Sequence, residues 1–94
     1  MGIEFEGEIW HWRGPSPYHF VTIPDEQSGQ VKAIARSVTY GWGVIPARVS
    51  IGQTVWKTSL FPKDGRYVVP IRDDVRKTER LKIGDKVTLR LEIG

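Results

Sequence analysis

The sequence contains no cysteine and no asparagine, and each absence excludes a class of chemistry. Without cysteine there is no disulfide bond, no thiol nucleophile and no thiolate ligand for a metal. Without asparagine there is no acceptor for N-linked glycosylation. A chain free of cysteine is compatible with a reducing compartment, so we expect a cytoplasmic protein.

Long apolar runs are also missing, since no stretch approaches the ~18 residues that a membrane-spanning helix needs. The first residues, MGIEFEGEIW, are acidic and place no basic segment before an apolar run, so we expect no signal peptide and no membrane partner. The composition is that of a globular protein. The chain has 94 residues, of which 39% are hydrophobic and 27% charged, and this fits a single domain over residues 1–94.

The formal net charge is +3, but the two ends of the chain differ in sign. Residues 1–30 hold five acidic residues and one arginine, whereas residues 31–94 hold 13 basic and six acidic residues. A basic half is compatible with a polyanionic partner. We favour the simpler interpretation that an acidic first strand lies beside basic strands in one sheet, where opposite charges across strands contribute slightly.

The first strand shows the period of two that is typical of a half-buried strand. Ile3, Phe5 and Ile9 fall on one face, and three glutamates fall on the other. Trp10 and Trp12 then fall on the glutamate face. Either a β-bulge exchanges the two faces at this point, or the tryptophans cover the outside of the sheet.

Similar alternation between turn residues predicts six strands in all, at residues 3–12, 18–23, 44–51, 54–61, 66–71 and 86–93. A medium-length helix is predicted to follow Pro24. Its apolar stripe consists of Val31, Ile34, Ala35 and Val38. Because a sheet of this size can avoid open edges by closing, we predict a small, mostly β barrel of about six strands.

The stretch VRKTERLKIGDKV, residues 75–87, concentrates positive charge and could be taken for a nucleic-acid contact. We interpret it as the joint between a short second helix and the last strand. Asp73 and Asp74 begin that helix and basic residues end it, as the helix dipole favours. Leu81 and Ile83 are expected to dock the following turn onto the core, and Gly84 is expected to take a left-handed conformation.

Four segments together resemble the bacterial domain-of-unknown-function family DUF1905. They are FEGEIWHWRGPSPYHFVTIP, YGWGVIPARV, WKTSLFPKDGRYVVPIRDDVRK and LKIGDKVTLRLE. The resemblance covers almost the whole chain and implies a double-split β-barrel that is distantly similar to AbrB/MazE-type barrels. It implies no activity, because none is established for the family.

A local likeness to AbrB-type proteins lies in the order Arg76, Leu81, Gly84-Asp85 and an alternating strand. The proline that typically stands four residues before the arginine in that pattern is replaced here by Arg72. The likeness implies an alternative function, a DNA-binding regulator that acts as a symmetric dimer. This chain is longer than AbrB-type chains, so one molecule can complete the barrel alone. The oligomeric state is therefore left open between a monomer and a homodimer.

Catalytic and metal-binding patterns are weak. The two histidines, His11 and His19, lie in adjacent predicted strands, and Glu8 could join them if the register allowed. Zinc sites use three or four ligands at defined spacings, so we predict neither a metal site nor a cofactor. No serine lies in a Gly-x-Ser-x-Gly elbow. The GWG at 41–43 is too short for a nucleotide-binding glycine motif.

Aromatic and basic residues could instead form a surface on which nucleic-acid bases stack. The candidates are Tyr18, Tyr40, Trp42 and Trp56 with Lys57, Arg72, Arg76 and Lys77. The alternative, which we favour, is that the aromatic side chains fill the barrel while the cations point into water. Trp56 and Thr58 share one face of their strand, and Val55 and Lys57 share the other. One of these faces should belong to the core.

The sequence therefore predicts a binding module without an assignable catalytic activity, whose ligand or protein partner is unknown. The predicted ligand-binding residues are Trp42, Lys57, Arg72 and Arg76. Two alternatives stay open: the AbrB-like DNA-binding regulator, for which a nucleic-acid partner is possible in principle but not favoured, and an enzyme with an unrecognised pocket.

Overall fold

The computed structural model describes residues 2–14, 18–38 and 44–93, with the side chains of residues 35–38 left out. The described chain forms six strands and two helices. They are β1 (Gly2–Trp12), β2 (Tyr18–Thr22), α1 (Asp25–Val38), β3 (Ile45–Ile51), β4 (Thr54–Lys63), β5 (Arg66–Ile71), α2 (Asp73–Glu79) and β6 (Lys86–Glu92). The predicted strands and helices are confirmed, although β4 continues to Lys63, beyond its predicted end at residue 61.

The strands close into one antiparallel barrel in the order β1-β2-β5-β4-β3-β6. Two strands change partner along their length. The first part of β1 pairs with β6 and its last part with β2. Likewise, β4 pairs first with β3 and then, from Phe61 onward, with β5. These two shared strands join the halves of the sheet, and the predicted barrel fold is confirmed.

The barrel interior is filled by alternate residues of all six strands, most of them aliphatic. The alternation predicted for β6 is confirmed, because Val87, Leu89 and Leu91 are all buried. In β4 the core face is the one that carries Trp56, which is 6% exposed, whereas Val55 on the opposite face is 57% exposed. The indole of Trp56 therefore belongs to the core.

Gly7 faces the interior where β1 leaves β6 and joins β2. A Cβ atom at this position would lie 2.5 Å from Cγ1 of Val21 and 3.4 Å from the backbone oxygen of Thr22. The neighbouring strand approaches so closely that only glycine fits without movement. This close approach allows one strand to serve both halves of the barrel.

Helix α1 covers one end of the barrel. Ser28 is buried, its hydroxyl donates to the carbonyl of Ile23 at 2.8 Å, and it accepts the N–H of Tyr67 at 3.2 Å. Val31 is fully buried and Ile34 packs against the core, as the apolar stripe predicted. The predicted contributions of Ala35 and Val38 lie outside the described side chains.

Helix α2 covers the opposite end and leads into β6 through a tight turn. It ends at Arg80, which has a left-handed conformation with φ 55°. Leu81 packs against the core as expected, but Ile83 is 58% exposed, so its predicted docking is wrong. The next residue, Gly84, has φ 93° and donates its N–H to the carbonyl of Ile9 at 2.7 Å. The turn is thus held by its backbone rather than by the isoleucine side chain.

Among the described residues, neither helix is long and apolar enough to cross a bilayer.

Candidate functional site: an aromatic outer face

A cluster of aromatic rings lies on the outside of the barrel, over the hairpin of β1 and β2. The ring of Phe20 lies 5.3 Å from Trp10, 6.5 Å from Trp12 and 5.6 Å from Tyr18, measured between centroids. The planes are tilted by 34–47°. Such tilted contacts are among the favourable geometries for aromatic pairs, so the cluster holds its own shape.

The register of the hairpin explains why these rings point outward. Ile9 pairs with Val21, and both are buried, so the next pair, Trp10 and Phe20, faces the other way. The pairing continues without interruption to the end of β1. Of the two possibilities that the sequence left open for Trp10 and Trp12, coverage of the outer face is therefore correct. The Trp10 indole N–H also donates to the Thr22 hydroxyl at 2.9 Å.

The cluster continues across β5 to Phe61 of β4. Val68 pairs with both Thr22 and Phe61, and it is only 3% exposed although it faces outward. A cavity of about 340 Å³ lies here, and its lining is apolar except for one lysine. It is lined by Trp10, Trp12, Phe20, Phe61, Pro62, Lys63 and Val68. We use the name aromatic face for Trp10, Trp12, Tyr18, Phe20 and Phe61.

Two of these rings are well exposed, with Trp12 at 48% and Phe61 at 43%. Two further cavities adjoin Trp10, one of about 640 Å³ toward Arg66 and one of about 390 Å³ toward Ile83. The exposed Ile83 thus borders the same region. An apolar surface of this kind on a small protein usually marks a site of interaction.

Three cations around the aromatic face are each paired with a carboxylate. Lys63 lies 3.8 Å from Asp64 and Arg72 lies 3.2 Å from Asp74. Arg66 makes two hydrogen bonds with the carboxylate of Asp25. This pairing raises the pKa of Arg66, through the hydrogen bond first and the charge of Asp25 second. These three pairs add no net charge to the rim of the aromatic face.

A second cluster lies behind the aromatic face, where α2 covers the barrel. It consists of His11, His19, Asp73 and Arg76, and we call it the α2-end cluster. The two imidazole centroids are 4.6 Å apart. Nη2 of Arg76 donates to Oδ1 of Asp73 at 2.9 Å.

The groups of the α2-end cluster influence one another electrostatically. Burial, followed by the charges of Arg76 and His11, lowers the pKa of His19. The hydrogen bond from Arg76 lowers the pKa of Asp73. Burial and the charge of Asp73 raise the pKa of Tyr18. His19 is thereby kept neutral near pH 7, as a hydrogen-bonding group rather than a cation.

The structure describes three of the four residues predicted as ligand-binding. Arg72 and Arg76 both lie at α2, each bonded to an aspartate of the first turn of the helix. Lys57 lies in the middle of β4, opposite Arg48. Trp42 lies outside the described residues, as does Tyr40. The grouping of these four stays a prediction.

Trp56 fills the interior, as the favoured alternative to a stacking surface predicted. Tyr18, in contrast, belongs to the outer cluster. Sequence reasoning did not select Trp10, Trp12 and Phe61 as site residues. The position of Trp10 and Trp12 on the glutamate face did indicate that these two side chains could lie on the outside of the sheet.

The metal arrangement considered for the two histidines does not form. Glu8 pairs with Lys86 on the outer face, whereas His11 follows the buried Ile9 on the inner face. No group of three or more His, Asp or Glu side chains within the described ranges is arranged to hold a metal ion.

The fold and this surface define a small closed β-barrel with an external aromatic face. Comparison with family models matches residues 5–91 to the domain of unknown function (DUF1905), so the chain belongs to this family. The family description assigns no activity. No curated protein matches the chain.

Proposed function

We propose that this protein is a binding module that holds a proline-rich segment of a protein partner on its aromatic face. The observation that carries the proposal is a set of partly exposed aromatic rings on a rigid antiparallel hairpin, next to a cavity with an apolar lining. Rings held on strands keep their positions better than rings held on loops, so little entropy is lost when a ligand binds.

The chemistry of the lining favours proline-rich segments. Such segments form a polyproline II helix before they bind, and they dock into aromatic-lined grooves through ring contacts. The tilted rings around Phe20 offer shallow clefts of this kind. Lys63 supplies one polar group at the edge of the cavity, which suits a carbonyl of the peptide.

The paired charges argue for an uncharged ligand rather than a polyanion. Binding of nucleic acid depends on cations that can replace counterions at phosphates. Arg66, Lys63 and Arg72 are each engaged by a carboxylate, so these three cations are less available to phosphates of a nucleic acid. We therefore place the DNA-binding regulator below the peptide-binding module.

We propose a non-catalytic role for the same surface, since catalysis needs several convergent polar groups and this lining supplies one. We also propose a cytoplasmic location, supported by the absence of cysteine. Of the predicted ligand-binding residues, Arg72 is retained in the proposal, because its charge acts on Tyr18 at one end of the aromatic face. Trp42 and Lys57 can be tested in the same experiment.

The test is a titration of isotope-labelled protein with a proline-rich peptide, followed by NMR. We expect saturable shifts of the Trp10 and Trp12 indole signals and of Phe61. The Trp12→Ala variant should lose most of the binding. The matched control is Val55→Ala, which removes an equally exposed apolar side chain from the other half of the barrel and should bind normally.

Three results would overturn the proposal. They are equal binding by Trp12→Ala and the parent protein, an absence of saturable shifts, and shifts that cluster around Lys57. A stronger response to single-stranded DNA than to the peptide, lost steeply with added salt, would favour the nucleic-acid alternative instead.

A further inference from the structure

The α2 end of the barrel interior is polar, unlike the rest of the core. His11 and His19 form a cross-strand pair two residues beyond Ile9 and Val21, on the same inward-facing side. Their imidazoles lie side by side at this end, with centroids 4.6 Å apart. Each neutral imidazole carries one N–H donor, which needs an acceptor.

Helix α2 places a guanidinium beside the two imidazoles. It starts two residues after Ile71, which pairs with His19, and the charge of Arg76 acts on His19. The Arg76 side chain is 24% exposed, and its Nη2 is bonded to Asp73. Its Nε–H is buried and has no acceptor within the described part of the chain. A buried charged donor without an acceptor is unfavourable, so the position is suited to a ligand oxygen.

A second buried donor lies at the same end of the barrel. Trp56 is 6% exposed, and its indole N–H has no acceptor among the described residues. Trp56 lies two residues from Thr54, whose hydroxyl is bonded to Glu79 of α2. Of the two buried donors that lack an acceptor in the described structure, one therefore belongs to α2 and the other lies two residues from a side chain that is bonded to α2.

We propose that the α2 end of the barrel binds a small oxyanion, a phosphate or a carboxylate group, through Arg76 Nε–H and the imidazoles of His11 and His19. Three side chains from three elements then donate to one ligand. The pattern combines a guanidinium with neutral donors, which is how proteins hold oxyanions in partly buried sites.

The surrounding charges favour an anion over a metal cation. The charged groups of α2 that act on His19 or Asp73 are the cations Arg76 and Lys77 and the anion Asp73 itself. This set has a net charge of one positive unit when the histidines are neutral. Protonation of His19 adds to it, so the affinity for an oxyanion of fixed charge should rise as the pH falls.

The test is a titration with inorganic phosphate at constant ionic strength, read by NMR at the His11 and His19 ring protons and at Arg76 Nε–H. We expect saturable shifts at these groups, and for acetate, which stays ionised over this range, tighter binding near pH 6 than near pH 8. Acetate is titrated in parallel, because its response separates a carboxylate site from a phosphate site. The Trp12→Ala variant, which should lose peptide binding, should still bind phosphate as the parent protein does.

Two variants and one control make the result specific. Arg76→Gln should weaken phosphate binding by about tenfold or more, as expected for a charged hydrogen bond. His19→Gln, which keeps a donor of similar length, should bind with little dependence on pH. Arg90→Gln removes an exposed cation from another part of the barrel and should bind normally.

The proposal is overturned if the shifts do not saturate, or if Arg76→Gln and Arg90→Gln weaken binding equally, which would indicate a diffuse charge effect. It is also overturned if Ni²⁺ or Zn²⁺ shifts both histidines while phosphate does not, which would make the pair a metal site. Thermal melts of each variant confirm that the fold is retained.

Discussion

The outer surface of the barrel differs between the half built around β3 and β6 and the half built around β2 and β5. On the β6 side, the outward residues are mostly charged and lie in rows across the strands. Arg90 pairs with Glu4 at 3.1 Å, and Arg48 lies between Lys57 and Glu92. On the β2 side, the outward residues are the rings of the aromatic face.

The two halves nevertheless bury similar side chains inside, and one closed hydrogen-bonded sheet joins them. The inner faces therefore account for the fold, and the outer faces for the difference between the halves. Exposed aromatic area costs solubility and adds little to a core that is already closed. The concentration of exposed aromatic area on one half supports the proposal that this surface binds a partner, whereas the other half presents charged groups to water.

The largest effect is expected when alanine variants of an inward-facing and an outward-facing residue of β4 are compared. The two residues are the neighbours Leu60 and Phe61. Leu60 is fully buried, so Leu60→Ala should reduce the free energy of unfolding by about 2–5 kcal/mol. Phe61 is 43% exposed, so Phe61→Ala should cost clearly less but should weaken peptide binding. Urea denaturation measures the first effect, and the NMR titration measures the second.

The prediction would be contradicted if Phe61→Ala destabilised the barrel as much as Leu60→Ala and left the peptide affinity unchanged. The aromatic face would then be an outer extension of the core rather than a binding surface.

A smaller effect on stability is expected for a substitution in β1, the strand that belongs to both halves. Gly7→Ala places a methyl group against Val21, and overpacking of this kind costs about 1–3 kcal/mol. The control is Gly29→Ala in α1, where the new methyl group meets no atom and should stabilise the helix by about 1 kcal/mol. Thermal melting should therefore shift in opposite directions for the two variants. Equal shifts would show that Gly7 does not limit the approach of the strands.

The polar end of the interior should make stability depend on pH. Because the pKa of His19 is lowered in the folded protein, the unfolded chain takes up a proton more readily. The contribution of neutral His19 to the free energy of unfolding is complete above the ordinary histidine pKa. It is lost as the pH falls through the lowered pKa that His19 has in the folded protein. Asp73 contributes in the same direction at more acidic pH. The urea midpoint should fall between about pH 7.5 and pH 5.5, and less so in His19→Gln. An unchanged slope in that variant would contradict this assignment.

The smallest effect is expected on the charged half. Glu4 and Arg90 form an exposed pair, so a double-mutant cycle with Glu4→Gln and Arg90→Gln should give a coupling of about 0.2–1 kcal/mol that weakens with salt. A coupling well above this range would mean that charge pairs help to hold the barrel closed, and the two halves would be less distinct than proposed.

Much of the fold is predictable from the sequence, because strands with one buried face alternate with a period of two. Val87, Leu89 and Leu91 could be assigned to the core on this basis, and so could Ile3, Phe5 and Ile9. Asp73 and Asp74 correctly marked the start of α2. Ile83 was misplaced, because the local pattern does not show that a backbone hydrogen bond from Gly84 holds the turn.

The candidate sites were harder to predict, because they depend on which strands become neighbours. Trp10 and Phe20 are ten positions apart in the chain, and the aromatic face also needs Phe61 from a third strand. The α2-end cluster similarly joins His11 and His19 to Arg76 of a distant helix. No local pattern contains such a combination.

The sequence by itself determined the alternation of each strand, the two helices and the class of fold, since these follow from local burial patterns and turn chemistry. Only the tertiary structure decided which outward-facing residues meet. Barrel closure and register bring strands together that are far apart in the chain, and these neighbours determine whether a tryptophan is core, as Trp56 is, or surface, as Trp12 is.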